Sequence, residues 1–128
     1  MTERRRISSG GRWEASVGYS RAVVVDGSCY VSGTTDAGPD GRSRHPGEAG
    51  AQARAAWKTI ENALAEAGFA LSDVVRTRMF VVSGDDVDAV LRVHGELFGE
   101  IRPAATIVIV SGLIDASLLV EIEADAVR

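Results

Sequence analysis

The sequence contains only one cysteine and two histidines in 128 residues. Cys29 therefore has no partner for an internal disulfide, and its place in a Val- and Tyr-containing run predicts a packed thiol rather than a nucleophile. No thiol or carboxylate stands at metal-ligand spacing from His45 or His94, and no glycine-rich phosphate loop is present. We therefore expect no metal or other cofactor, and the cysteine usage fits a reducing cytoplasm.

Long apolar runs and excess basic charge are also missing. The longest apolar run, residues 104–110, is far shorter than the roughly 20 residues that span a bilayer. The net charge is −4 and the pI is about 5.1, whereas nucleic-acid-binding domains commonly have a pI above roughly 9. We expect neither a membrane nor a nucleic-acid partner, and we interpret the arginines at positions 4–6 as part of a solvated tail.

The segments that are present alternate between strand and helix patterns and predict one α+β domain over residues 1–128, with an irregular arm over residues 1–16. Residues 20–25 and 28–33 are β-branched or aromatic runs around Asp26-Gly27, a strong hairpin signal. A turn-rich loop follows to residue 46. Apolar residues then recur at helical spacing from residue 48 to Gly68.

The second half predicts a strand at residues 74–82, a helix ending at Gly99, and two further strands. In the first strand we expect Arg76 and Arg78 on one side, with Val75 among the apolar residues of the other. Residues 104–111 are apolar on both faces, which predicts a central strand covered on both sides. Since both helices can cover only one sheet face, we expect copies of the same chain to cover the other.

The last strand, residues 118–126, places three carboxylates on one face: Glu121, Glu123 and Asp125. Two interpretations stay open for this face. It is either a solvated or salt-bridged edge, with Arg76 and Arg78 as basic partners, or it holds a glutamate that activates a water in a cleft. His94 lies on the apolar side of its helix, which favours a packed residue over a ligand.

Two C-terminal motifs resemble the signature of the Rid (YjgF-like, L-PSP endoribonuclease-like) family. They are Arg-Pro-Ala-Ala-Thr at residues 102–106 and Val-Glu-Ile-Glu-Ala at residues 120–124. The segments at residues 17–19, 31–33, 51–54 and 74–77 are similar to landmarks of the same family, so the resemblance covers residues 17–128.

The resemblance implies a chorismate-mutase-like (Bacillus type) fold with two helices on one face of a mixed sheet. It also implies a homotrimer with clefts between subunits and a hydrolase that deaminates reactive imines and enamines. Glu121 would position the attacking water, Tyr19 would line the cleft, and the backbone around Ser32 and Gly33 would bind the small-molecule ligand. Neither the charge nor the histidines support the ribonuclease activity that the family label suggests.

Ala105 departs from the pattern of the deaminating members, which carry an arginine there to hold a substrate carboxylate bidentately. We therefore expect weak action on 2-imino acids unless Arg76, Arg78 or Arg102 supplies the charge. The alternative is a member of the family that binds or senses a metabolite without catalysis.

Overall fold

A computed structural model describes residues 3–128 of the chain. Its eight main elements are the strands β1 (Arg4–Ile7), β2 (Ala22–Val25), β3 (Ser28–Thr34), β4 (Val74–Val81), β5 (Ala104–Ile109) and β6 (Val120–Val127), and the helices α1 (Ala49–Ala67) and α2 (Val87–Phe98). No helix within residues 3–128 has the length and apolar content needed to cross a membrane.

The six strands form one mixed sheet in the order β1-β2-β3-β6-β4-β5. All neighbours are antiparallel except β4 and β5, which run parallel. The predicted hairpin is confirmed: β2 and β3 join through Asp26, whose φ of 54° is the left-handed conformation that this turn requires. The sheet therefore brings the C-terminal strand β6 between the hairpin and β4.

Both helices cover the same face of the sheet. Helix α1 packs on β3 and β6 with an alanine-rich stripe around Trp57 and Ile60, and α2 packs beside α1. The predicted end of α1 is confirmed, because Gly68 adopts a φ of 89° and its N–H donates to the last turn. Burying Trp57 and Ile60 contributes roughly 1.5–3 kcal/mol for each side chain. The opposite face has no covering layer among residues 3–128.

The prediction of an irregular arm over residues 1–16 is wrong for Arg4–Ile7, and residues 1 and 2 lie outside the described part. This segment forms β1 and pairs in register with β2. Arg5 stabilises β1 in this position, because its guanidinium donates to the carbonyls of Glu66 (2.8 Å) and Ala67 (3.5 Å) in the last turn of α1. A cation at this end of a helix satisfies orphan carbonyls and complements the helix dipole.

Strand β5 lies at the sheet edge, which corrects the prediction of a central strand covered on both sides. Most of its residues are exposed, including Ile109 at 62%. An apolar run on both faces indicates a tendency to be covered, but it does not fix the position of the strand in the sheet.

A second correction concerns β4, where a register shift between Val74 and Arg76 turns Val75 outward. The rest of β4 alternates as predicted, with Thr77, Met79 and Val81 buried.

Candidate functional site

A cleft of about 760 Å³ opens beside the junction of β3 and β6. Its walls come from the segment before β2, the end of β3, the turn-rich loop after β3 and the start of β6. The residues that line it are Ser9, Gly10, Gly11, Arg12, Trp13, Tyr19, Arg21, Ser32, Gly33, Thr35, Ala37, Gly38, Pro39, Gly41, Arg44, Thr59, Ile114, Leu118 and Glu121. Four of the predicted site residues, Tyr19, Ser32, Gly33 and Glu121, therefore meet in one place.

Glu121 reaches the cleft because the alternation of β6 turns it away from the buried residues Val120 and Ile122. Its carboxylate lies against the α carbon of Gly33, where even a methyl group would collide with Oε2. Burial raises the pKa of Glu121, the charge of Glu123 raises it further, and Arg21 acts in the opposite direction. The balance leaves a carboxyl whose pKa is above its usual value and which is still reachable from the cleft.

The pairing of β3 with β6 breaks at Ser32 and Gly33, because the register shifts between Val31 and Thr34. Ser32 is held in place by its Oγ, which donates to the carbonyl of Ser20 at 2.6 Å. Its backbone N–H donates to the carbonyl of Arg21 at 3.0 Å and so has a partner already. The break places the Gly33 backbone directly beneath the Glu121 carboxylate.

Arg21 is a charged cleft residue that the sequence prediction missed, as it missed Arg12 and Arg44. Its Nη2 donates to the carbonyl of Gly33 at 2.9 Å, and the guanidinium carbon lies 5.9 Å from the ring centre of Tyr19. Its Nε is buried and has no hydrogen-bond partner among residues 3–128. No local sequence pattern indicated this role, because the contact depends on the Gly33 carbonyl 12 residues away.

The segment in front of β2 forms the outer wall of the cleft and was also missed. Glu14 anchors it: the carboxylate accepts hydrogen bonds from Ser8 Oγ (2.9 Å), from the Ser9 backbone N–H (3.1 Å) and from Ser9 Oγ. Burial raises the pKa of Glu14, but these hydrogen bonds outweigh it and the net direction is downward. The anchored segment presents Arg12 and Trp13, whose ring centre lies 4.0 Å from the Arg12 guanidinium carbon.

The arginines named from the sequence lie elsewhere on this chain. Arg78 lies 3.6 Å from Glu123 and 3.5 Å from Asp125 on the uncovered sheet face. The salt-bridged interpretation therefore holds for these two carboxylates, and Glu121 is the one that faces the cleft. Arg76 stands opposite Asp125, and Arg102, with a φ of 55°, lies just before β5.

Ala105 lies on the edge strand β5, opposite Thr77 of β4. Like Arg76, Arg78 and Arg102, it does not line the cleft of this chain. A part for these four positions in a cleft completed by a neighbouring subunit stays a prediction.

Neither histidine nor the cysteine contributes to the cleft lining. His94 Nε2 lies 2.9 Å from Thr77 Oγ1, and its ring packs against those of Phe98 and Trp57, so its predicted packed role is confirmed; burial lowers its pKa. Cys29 is buried, which raises the pKa of its thiol. Residues 3–128 contain no group of three or more His, Cys, Asp or Glu side chains that could hold a metal ion.

The family model described as Endoribonuclease L-PSP matches residues 10–128 of the sequence. The chain belongs to this family. The resemblance to Rid (YjgF-like) proteins is thereby confirmed, and so are the chorismate-mutase-like mixed sheet and its two helices on one face. A crystal structure of Rv2704 from Mycobacterium tuberculosis, described as a member of the YjgF/YER057c/UK114 family, is 44% identical with a TM-score of 0.89, covering 98% of this chain and 100% of that one.

Two curated relatives extend the comparison. An uncharacterised protein from Streptomyces coelicolor is 40% identical over 97% of this chain and 92% of its own length. The 3-aminoacrylate deaminase RutC from Acinetobacter baylyi is 36% identical over 81% of this chain and 82% of its own length. One relative of this chain is therefore a named deaminase of a reactive enamine.

Proposed function

We propose that this protein hydrolyses a reactive imine or enamine to a carbonyl compound and ammonia in the cleft around Glu121. The observation that carries the proposal is the Glu121 carboxylate, half-buried against Gly33 with a pKa above its usual value. A general base works best when its pKa lies near the operating pH, and a raised carboxyl pKa moves in that direction. The relative named as a 3-aminoacrylate deaminase supports the same reaction class.

In the proposed reaction, the ionised Glu121 accepts a proton from a water as the water oxygen bonds to the carbon of the protonated imine and the C=N electron pair moves to nitrogen. Glu121 returns this proton to the nitrogen of the resulting carbinolamine, whose C–N bond then breaks to release ammonia. The carbonyl forms as the hydroxyl proton is lost, so one water is consumed for each ammonia released. Tyr19, Ser32 and Gly33 shape the binding surface, and an enamine would first be protonated on carbon to give the imine.

We further propose that the working form is a homotrimer whose clefts are completed between subunits. The exposed apolar edge strand β5 and the uncovered sheet face support an assembly of this kind. A second candidate function is binding of a metabolite without turnover, and Ala105 in place of the expected arginine favours it. In both cases the ligand is a small molecule and the same cleft receives it.

The test is Glu121→Gln, which removes the proton acceptor and keeps the size of the side chain. The assay generates 2-aminoacrylate or 3-aminoacrylate in situ and detects the carbonyl product by a coupled reaction. We expect turnover by the variant to be lower than that of the wild type by about 10²–10⁴-fold. Glu96→Gln is the matched control, because Glu96 lies on α2 and pairs with the exposed Arg54. Equal turnover in Glu121→Gln and wild type would refute the proposed role, and no turnover in either would favour the binding function.

A further inference from the structure

We infer that Arg21 is the residue that receives an anionic group of the ligand. The guanidinium carries five N–H donors, of which Nη2 is bonded to the Gly33 carbonyl. The buried Nε has no acceptor among the described residues. Nε is too enclosed for a cleft ligand to reach, so the donors open to a ligand are the Nη N–H groups, whose one protein acceptor among residues 3–128 is the Gly33 carbonyl.

The charge of the cleft points to an anion. The whole chain has more acidic than basic residues, 18 against 14. The cleft lining reverses this balance, because Arg12, Arg21 and Arg44 face a single carboxylate, Glu121. An acidic protein that gathers three arginines around one cleft attracts a ligand of negative charge.

Within residues 3–128, the Arg21 side chain is held in place by a hydrogen bond, unlike those of Arg12 and Arg44. Arg12 and Arg44 are exposed at the rim, whereas Arg21 is half-buried and tied to Gly33. Arg21 also lines a second, smaller cavity of about 190 Å³ together with Thr59, Asn62 and Glu66. The guanidinium therefore stands where two cavities meet, and the acidic Glu66 of the smaller cavity makes the larger cleft, with its three arginines, the side that suits an anion.

The position of Arg21 relative to Glu121 defines the substrate class. Both side chains contact the same glycine: Arg21 binds the carbonyl of Gly33, and Glu121 lies on its α carbon. A ligand whose anion rests on Arg21 brings its adjoining carbons to the Glu121 carboxylate. The anion is then the acid group of a short imine or enamine acid. The identification of the ligand as an imine or enamine acid rests on the proposed function, whereas the inference that Arg21 binds an anion does not.

The test uses keto acids, which are stable product-like probes and need no turnover. We expect pyruvate and 2-oxobutyrate to bind the wild type, with an affinity lower by about ten- to a hundredfold in Arg21→Met, as judged by isothermal titration calorimetry. Methyl pyruvate has the same carbon skeleton without the charge, and its affinity should be equal in the two proteins. The keto-acid affinity of Arg21→Lys should lie between those of the wild type and Arg21→Met, because lysine keeps the charge and lacks the planar guanidinium.

Arg54→Met is the matched control, since Arg54 is an exposed arginine on α1, away from the cleft. Arg21→Gln serves if Arg21→Met does not fold, because its amide can still donate to the Gly33 carbonyl. Unchanged keto-acid affinity in the Arg21 variants, equal losses for the acid and the ester, or no keto-acid binding by the wild type would each overturn the inference. Arg21-dependent binding without any deamination would keep it and reject the proposed hydrolysis.

Discussion

Glu121, Glu123 and Asp125 share one strand face, but their surroundings separate them. Arg78 lies within 4 Å of Glu123 and Asp125, while Glu121 rests on a glycine with Arg21 on the other side of that residue. Burial and the negative charge of Glu123 both oppose ionisation of Glu121, and Arg21 favours it. The same strand face therefore holds two paired carboxylates and one that can exchange a proton.

This arrangement makes a prediction about the titration of Glu121. Its folded pKa should exceed the ordinary glutamate value of 4.5, as measured by NMR of the side-chain carboxyl carbon. Arg21→Met should raise this pKa further, because the favourable charge is lost, and Glu123→Gln should lower it. A pKa at or below the ordinary glutamate value, or shifts of the same sign in the two variants, would contradict the described electrostatics.

The same shift links pH to folding stability. Since the pKa is higher in the folded than in the unfolded chain, the folded state binds the proton more tightly, and its stability falls as pH rises from 4.5 through the folded pKa. Glu121→Gln has no proton to lose, so this decline should be absent from its unfolding curves. The variant should gain stability relative to wild type at neutral pH and lose that advantage near pH 4.

Residues of the site differ in how far the sequence predicted them. Glu121, Tyr19, Ser32 and Gly33 were named from motifs, and the structure brings them together. Arg21 and Glu14 were missed, because their roles depend on contacts that no local pattern encodes. Arg21 acts through a carbonyl 12 residues away, and Glu14 through two serines in a segment that has no periodicity.

At the scale of elements, the break in β3 builds the floor of the cleft. The register of β3 and β6 shifts between Val31 and Thr34, and Gly33, which has no side chain, leaves room there for Glu121 to lie on the backbone. The sequence predicted the strand and its hairpin, because alternation and Asp26-Gly27 are local signals. It did not predict the break, the strand β1 or the edge position of β5, because these depend on partners distant in sequence.

Gly33→Ala tests the floor of the cleft. The new methyl group would collide with Glu121 Oε2, the end of a flexible side chain, so Glu121 should move while the fold survives. We expect activity to fall by at least tenfold with a small change in melting temperature. Gly95→Ala is the matched control, because nothing lies within 4 Å of its added methyl group in α2. That control should keep activity and gain about 0.5–1 kcal/mol of stability.

A Gly33→Ala variant with wild-type activity would show that the Glu121 carboxylate needs no contact with the glycine backbone. A variant that unfolds would instead show that the neighbours of β3 cannot adjust. Circular dichroism of both alanine variants separates the two outcomes before activity is compared.

At the scale of the whole molecule, β5 is an edge strand without protection against pairing with another chain. Natural edge strands commonly carry lysine, proline or a bulge that prevents pairing with other chains. Residues 104–109 have none of these, and Val108 and Ile109 are 41% and 62% exposed. This strand and the uncovered sheet face support the proposed homotrimer.

The proposed homotrimer would allow position 105 to act in a way that a single chain does not allow. Ala105 stands opposite Thr77, whereas Glu121 stands opposite Phe80, three residues further along β4. Strand β4 separates β5 from β6, so the two positions differ by about 10 Å across the sheet and about 10 Å along it. An arginine side chain at position 105 is too short to reach the cleft of its own chain, and only a neighbouring subunit could place it there.

The last prediction joins this geometry to Arg21. In the background of Arg21→Gln, the added substitution Ala105→Arg should restore keto-acid affinity by about tenfold or more, because a neighbour's guanidinium would replace the lost charge. Ala104→Arg in the same background is the matched control, since residue 104 stands opposite Arg76 and points to the other side of the strand. Light scattering should give about three times the chain mass of 13.5 kDa for every variant. Restored affinity in a monomer, or a stable trimer without any restoration, would show that position 105 does not complete a cleft between subunits.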